Sequence, residues 1–258
     1  MAALLATEAP WALLKQSAAV ARLLEKESQG AVSWLEAPTE RDAYFVLWPR
    51  DAFCDWDEFI ATTDSPGMRA FASGFGKSTF TDEALSEGGM FVRTSEHLLF
   101  SSASIKSCAL PLNFRAHELP HPYSSDLFRR HQPEAEPLTH IDLDVALIPG
   151  DAKPLLLVSE RYYSAYRASV ARAVYHLGLE VAEIPQEEAD RRGLNLVVLD
   201  EKAVLIPDGC PQLSGLLADR LGSESVIEVQ IDSAFNYNRG RGGLGCMSNV
   251  VRTCSVPA

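Results

Sequence analysis

Apolar residues recur along the chain at two spacings, and each spacing predicts a different kind of element. Apolar positions three and four residues apart predict helices at about residues 11–29, 160–177 and 211–221. In the second helix, Tyr163, Tyr166, Val170, Ala173 and Val174 share one face. Short apolar runs between the helices predict strands at residues 44–48, 90–92, 98–100, 143–148, 155–158, 194–199, 203–206 and 226–229.

One region shows how these elements combine. The two runs between residues 194 and 206 are joined by Asp200, Glu201 and Lys202, which predicts a hairpin, and a helix and a further strand follow. This strand-strand-helix-strand order predicts an α/β or mixed α+β fold, because hairpins argue against an all-parallel sheet. The chain has 258 residues, which suits one large domain or two small ones.

Two stretches lack any periodic pattern. Residues 117–137 are rich in proline and histidine and predict a long loop, which is either functional or a surface excursion. The second stretch, residues 239–245, contains Gly242, Gly243 and Gly245 and ends beside Cys246. It has no Lys-Ser/Thr pair after the glycines, so a phosphate-binding P-loop is not expected.

The charge and the cysteines restrict the functional class. The chain carries 23 basic and 35 acidic residues, a net charge of −12, which repels nucleic acid and anionic membranes but suits a small cation. No apolar run approaches the ~18 residues of a membrane span, and the N-terminus does not resemble a secretory signal. Five cysteines without a CxxC pair indicate free thiols in a reducing compartment and argue against zinc. We therefore expect a cytoplasmic protein.

Five residues in these surroundings could carry chemistry together. Asp51 follows an aromatic run and Glu87 precedes two glycines. His140 and Asp142 would share one face of an extended segment, as would Asp144, and Cys246 ends the glycine-rich loop. Taken singly, such residues are more often caps, solvent-facing side chains or inert core thiols. Together they suit a guanidinium, because carboxylates bind this planar cation and a thiolate beside an imidazole can attack its carbon.

The same residues resemble motifs of the guanidine-modifying enzymes of the pentein superfamily, which include arginine and agmatine deiminases, dimethylarginine dimethylaminohydrolases and amidinotransferases. Residues 44–53, YFVLWPRDAF, are similar to an aromatic run ending in Arg-Asp-Pro-Phe, with Ala52 in place of proline. Glu87-Gly88-Gly89 resembles a Glu-Gly-Gly-Asp motif, with Met90 in place of aspartate. His140-Ile141-Asp142 is similar to a His-Leu-Asp motif, and residues 242–247, GGLGCM, resemble the terminal nucleophile loop.

The resemblance implies a fold, a reaction and a role for each residue. The fold would be a five-bladed α/β propeller of strand-strand-helix-strand repeats, formed by residues 1–258 as one catalytic domain. Cys246 would be the nucleophile, His140 the acid and base, and Glu87 their support. Substrate binding would fall to Asp51, Asp142, Arg50 and Lys106, the last beside the substrate carboxylate. The expected enzyme is a hydrolase of arginine or an arginine derivative that needs no metal or organic cofactor.

Two alternatives remain open at this stage. An amidinotransferase would use the same cysteine, histidine and acids, with an amine in place of water as acceptor. A non-catalytic protein would use the pocket only to bind guanidino ligands. In each case the expected partner is a small cationic guanidino compound, with no nucleic acid or membrane, and a homo-oligomer is left open.

Overall fold

The computed structural model describes residues 53–86, 88–101, 113–122, 140–150, 152–199, 203–230 and 243–246, together with Arg22 and Lys26. Arg22 and Lys26 are helical and exposed, and they lie within the helix predicted at residues 11–29. The rest of that helix and the strand predicted at residues 44–48 lie outside the described residues.

The described strands form four sheets of three strands each. The strands are β1 (Phe53–Asp55), β2 (Phe59–Thr62), β3 (Ser78–Thr81), β4 (Phe91–Arg93), β5 (His97–Ser101), β6 (Arg115–Leu119), β7 (Val145–Ile148), β8 (Leu155–Ser159), β9 (Glu180–Ile184), β10 (Val197–Leu199), β11 (Ala203–Pro207) and β12 (Val226–Val229). In every sheet the first strand pairs antiparallel with the second, and the second pairs parallel with the third.

In the first, third and fourth sheets, a helix makes the crossover between the parallel strands. The described helices are α1 (Pro66–Ser73), α2 (Glu83–Ser86), α3 (Glu160–Leu177), α4 (Gln186–Asp190) and α5 (Pro211–Leu221). In chain order, α1 joins β2 to β3, α3 joins β8 to β9, and α5 joins β11 to β12. The repeated unit is therefore strand-strand-helix-strand, as predicted for residues 194–229, and the predicted α/β class is confirmed. None of the described helices is long and apolar enough to cross a membrane.

Strands β7 and β8 of the third sheet are buried on both faces, which explains their nearly continuous apolar sequences. Val145 and Leu147 of β7 pack in one hydrophobic cluster with α3 and with the sheet of β4–β6. Ala146 and Ile148 point the other way, into a second cluster with α5 and with the sheet of β10–β12. Because alternate residues of a strand face opposite sides, β7 connects the two clusters.

Helix α3 has the bounds that its sequence predicted. The Ser159 hydroxyl accepts a hydrogen bond from the Tyr162 backbone N–H at 3.2 Å and caps the first turn. Gly178 ends the helix in the left-handed conformation, with φ of 70°. The predicted apolar face packs on the core through Val170 and Ala173, with Tyr166 partly buried beside them.

Two predicted elements are corrected by the structure. The long loop expected from residue 117 begins later, because His117, Glu118 and Leu119 belong to β6 and pair parallel with β5. Only the last residue of this edge strand is buried, so its sequence lacks an apolar pattern. The strand expected from residue 143 begins at Val145, and Ile141–Leu143 forms a 3₁₀ turn instead.

Candidate active site

Three of the predicted site residues lie together. The side chains of His140, Asp142 and Cys246 offer a nitrogen, an oxygen and a sulfur that all lie within 4.8 Å of one another. Asp142 is 1% exposed and Cys246 is 5% exposed, while His140 is half-buried. The structure thus brings an imidazole, a carboxylate and a thiol to one point from segments more than one hundred residues apart in sequence.

The backbone around His140 differs from the extended segment that the sequence predicted. His140 has extended dihedral angles, but Ile141, Asp142 and Leu143 turn in a 3₁₀ helix. Asp144 is therefore engaged elsewhere: its Oδ1 accepts a hydrogen bond of 2.7 Å from the Ser159 hydroxyl, at the start of α3. Burial raises the pKa of the Asp144 carboxyl. Asp144 belongs to the support of α3 rather than to the row expected with His140 and Asp142.

The structure gives a steric reason for the glycine at position 89. Gly88–Met90 forms a buried 3₁₀ turn that packs against the turn after His140. A Cβ atom built on Gly89 would lie 2.4 Å from Nδ1 and 2.5 Å from Cγ of His140. The glycine therefore leaves the space that the imidazole ring occupies.

Asn195 is a site residue that the sequence did not reveal. Its Oδ1 accepts hydrogen bonds from the backbone N–H groups of Gly243 and Cys246, both at 3.0 Å. Its Nδ2 donates to Asp142 Oδ2 at 2.7 Å, and its backbone oxygen accepts from the Gly245 N–H at 2.9 Å. One buried side chain thus contacts both the carboxylate and the cysteine loop. The available signal was a polar residue inside the apolar run 194–199.

The structure gives a steric reason for glycine at position 243 of the glycine-rich loop. A Cβ atom at this position would lie 2.8 Å from Asn195 Oδ1 and 3.0 Å from the Cβ of Arg192. Only a residue without a side chain allows the backbone to approach Asn195 this closely.

A second imidazole, that of His121, lies within electrostatic reach of His140. Burial lowers the pKa of His121, and electrostatic repulsion between the imidazoles of His121 and His140 lowers it further. Two tyrosines of α3 fix the backbone here: the Tyr162 hydroxyl donates to the Pro120 oxygen at 2.6 Å, and the Tyr166 hydroxyl donates to the His121 oxygen at 2.8 Å.

The remaining predicted site residues lie outside the described part of the chain. They are Glu87, Asp51, Arg50 and Lys106, and their roles stay predictions. Among the cysteines that the structure describes, Cys54, Cys210 and Cys246 are free thiols, as expected.

In chemical terms, the imidazole, carboxylate and thiol of the site could also serve as ligands of a metal ion.

Comparison with known proteins identifies the fold. No protein-family model matches the sequence, and no curated protein sequence matches it. Among solved structures, the arginine dihydrolase ArgZ of cyanobacteria superposes with a TM-score of 0.69 at 14% identity over 97% of this chain. This chain spans 38% of the dihydrolase.

Two further structures match most of their own length. A mutant DDAH from Pseudomonas aeruginosa complexed with citrulline gives a TM-score of 0.61 at 19% identity, covering 92% of this chain and 87% of that one. SxtG, an amidinotransferase from Microseira wollei in the saxitoxin biosynthetic pathway, gives 0.61 at 15% identity, covering 97% and 86%. The protein therefore has the fold of the guanidine-modifying enzymes of the pentein superfamily, as the sequence motifs implied.

Proposed function

We propose that this protein is a hydrolase of a guanidino compound, with arginine or an arginine derivative as substrate. The observation that carries this proposal is the convergence of His140, Asp142 and Cys246 within 4.8 Å in a pentein fold. The three structural neighbours described above are named as an arginine dihydrolase, a DDAH and an amidinotransferase, which supports chemistry at a guanidino group.

The acids would bind the substrate cation. Asp142 is buried, so its carboxylate would pair with a guanidinium in surroundings where solvent screens the attraction weakly. Asp51 would supply the second carboxylate, and Arg50 and Lys106 would contact the rest of the substrate, as the motifs predict. A net charge of −12 favours the approach of a cation to the protein.

Covalent catalysis would follow from the thiol and the imidazole. The Cys246 thiolate would attack the central guanidinium carbon and form a C–S bond, giving a tetrahedral adduct. His140 would protonate the departing nitrogen, so that the C–N bond breaks and an amidino-thioether remains. His140 would then take a proton from water, which attacks the same carbon, and cleavage of the C–S bond would release a ureido product. Glu87 would hold the imidazole in place.

The structure of the Pseudomonas protein with citrulline supports the ureido product class, since citrulline is itself a ureido compound. SxtG supports a second candidate, because an amidinotransferase has a comparable fold. In that reaction an amine, rather than water, would attack the amidino-thioether of Cys246.

The test is an assay of the purified protein with arginine, agmatine, methylarginines and other guanidines. Hydrolysis would release a ureido product, with ammonia or an alkylamine, and Cys246→Ala should abolish it. New guanidines formed only with glycine, lysine or ornithine present would identify a transferase. Tight binding without turnover, unaffected by thiol alkylation, would favour the non-catalytic alternative. An absence of both turnover and binding across the panel would contradict the proposal.

A further inference from the structure

We propose that Asn195 is a positioning residue that joins the guanidinium-binding carboxylate of Asp142 to the loop of Cys246. The inference rests on the function proposed above, because it assigns a part in that reaction to a residue outside the predicted set. Asn195 is 1% exposed, and its carboxamide is hydrogen-bonded within the protein on both sides.

The first half of the argument concerns the cysteine loop. The N–H groups of Gly243, Gly245 and Cys246 all donate to Asn195, two to its Oδ1 and one to its backbone oxygen. A glycine-rich backbone loses much conformational entropy when it is ordered, so these bonds offset a real cost. Because these hydrogen bonds fix the backbone at Cys246, they also fix the direction of its Cα–Cβ bond, from which the thiol extends.

The second half concerns the carboxylate. Asn195 Nδ2 donates to Asp142 Oδ2 at 2.7 Å and so fixes the plane of that carboxylate. The orientation of the amide is unambiguous, because a flipped amide would set an NH₂ group against two N–H donors and an oxygen against a carboxylate. A short side chain that accepts on one side and donates on the other is required, and asparagine provides it.

Replacement of Asn195 by aspartate gives a sharp test of this arrangement. Asn195→Asp keeps the acceptor for the two N–H groups but sets a second carboxyl oxygen about 2.7 Å from Asp142 Oδ2. Two carboxylates this close share one proton, and the pair titrates with a raised apparent pKa. The singly protonated pair has the same hydrogen bond and the same charge of −1 as the wild-type pair. The fully ionised pair loses this hydrogen bond and carries one more negative charge.

In Asn195→Asp, two quantities measured across pH 5–9 should therefore change with the same apparent pKa, which the wild type lacks. The first is kcat and KM with the guanidine that the wild type turns over. The second is the rate at which iodoacetamide labels Cys246, followed by mass spectrometry of the peptide, and it needs no substrate. We expect kcat to fall as pH rises through the new apparent pKa, with a change in the labelling rate over the same range. Asn195→Ala should lower kcat about 10- to 100-fold at every pH.

Three controls separate positioning from a loss of fold. Asn113→Asp adds the same charge at an exposed turn before β6 and should leave both profiles unchanged. Ser65→Ala removes the cap of α1 and shows how a modest loss of stability affects them. The double variant Asp142→Asn with Asn195→Asp exchanges the two groups, so it should restore the wild-type labelling profile while guanidine turnover stays impaired.

The outcomes are distinct. A wild-type pH profile in both measurements of Asn195→Asp, or a double variant that does not regain the wild-type labelling profile, would overturn the inference. Asn195→Ala with wild-type kcat and only reduced stability would also overturn it and leave Asn195 a structural residue. Failure of the wild type to act on any guanidine would instead count against the proposed function, while the labelling profiles still decide the role of Asn195.

Discussion

The described cysteines have different surroundings, and their thiols should differ in reactivity. Burial, reinforced by the charge of Glu188, raises the pKa of Cys210 to about 12, so its thiolate is scarce at neutral pH. Cys54 is about as buried as Cys246, at 7% and 5% exposed, but it packs among apolar residues in the core of the first two sheets. Cys246 follows a glycine-rich loop and lies beside an imidazole, the setting of a reactive thiol.

We therefore expect limiting iodoacetamide to modify Cys246 before Cys54 or Cys210, because only thiolates react at an appreciable rate. Activity should be lost in parallel, and a guanidino substrate should slow both. Peptide mass spectrometry against residual activity provides the measurement, with Cys246→Ala as control. Complete inactivation accompanied by labelling at another cysteine would assign the nucleophile elsewhere.

Gly89 provides a prediction about the imidazole. Gly89→Ala places a methyl group on a site 2.4 Å from His140 Nδ1, so the ring must shift from its observed position beside Cys246. A misplaced acid-base group should lower kcat on the order of 100-fold, since general acid-base catalysis contributes about 10²–10⁴-fold. Steady-state kinetics and circular dichroism of the variant measure the effect.

The matched control is Gly215→Ala, at an exposed position of α5 where an added Cβ meets nothing within 4 Å. This variant should keep wild-type kinetics and gain up to about 1 kcal/mol of stability, because alanine favours a helix over glycine. Unchanged kinetics in Gly89→Ala would show that the imidazole tolerates the methyl group or takes no part in turnover.

At the scale of elements, α5 depends on a cap that comes from another helix. The residue before it, Cys210, makes no side-chain cap. Glu188 of α4 accepts hydrogen bonds from the Gln212 N–H at 2.8 Å and the Leu213 N–H at 2.9 Å. A buried carboxylate thus satisfies two free N–H groups of the first turn and complements the helix dipole.

Glu188→Ala should therefore lower the free energy of unfolding by about 2 kcal/mol, since it removes the two charge-assisted hydrogen bonds that cap the helix. Catalysis should persist below the unfolding transition, because Glu188 makes these contacts outside the candidate site. Urea unfolding gives the value, and Glu188→Gln should lose less because it retains an acceptor. A loss in Glu188→Ala below about 0.5 kcal/mol would show that water replaces the cap.

Capping residues and a proline in the local sequence predicted where helices α3 and α5 begin and where α3 ends. The bounds of α3 follow from the Ser159 cap and the Gly178 stop, and α5 begins at Pro211, as its sequence indicates. Edge strands such as β3 and β6 were missed, because one or both of their faces are exposed and polar side chains hide the alternation. The 3₁₀ turn at Ile141–Leu143 carries no cap signal that a sequence could show.

The site was predictable only in part. His140, Asp142 and Cys246 were singled out as an imidazole, a carboxylate and a thiol suited to a guanidinium, and their motifs resemble those of a known family. The structure brings atoms of all three within 4.8 Å of one another. The role of Asn195 was not predicted, because it arises from hydrogen bonds to residues 142 and 243–246, which lie about 50 positions away on either side. A contact over that separation becomes visible only when the sheets pack.

At the scale of the molecule, several segments of the candidate site occupy one repeated position in the fold. The Gly88–Met90 turn precedes β4, the Ile141–Leu143 turn precedes β7, and Asn195 lies two residues before β10. Three of the four described sheets thus contribute the segment before their first strand. Asp51 stands two residues before β1, so the repeat predicts that it faces the same centre, although it lies outside the described residues.

The packing of α3 against the second sheet also buries histidines, which links stability to pH. His97 is 6% exposed, and burial lowers its pKa from 6.5, with the positive charge of Arg115 as a second cause. Burial likewise lowers the pKa values of His117 and His121. Asp144 acts in the opposite sense, since a raised carboxyl pKa favours the folded state at low pH and loses that contribution as pH rises.

We predict that the free energy of unfolding falls as pH is lowered from 7.5 to 5.5. A histidine with a lowered pKa binds fewer protons in the folded chain than in the unfolded one, so its stabilising contribution is complete above pH 6.5 and is lost as pH falls through the folded pKa. His97→Gln keeps a hydrogen-bonding partner for Thr94 but cannot be protonated, so it should show a weaker dependence. Urea unfolding at pH 7.5, 6.5 and 5.5 measures how steeply the free energy of unfolding changes with pH in each protein. Asn113→Asp, at an exposed position, should show the same slope as the wild type. Equal slopes in the wild type and His97→Gln would show that His97 is protonated in the folded protein as readily as in the unfolded chain.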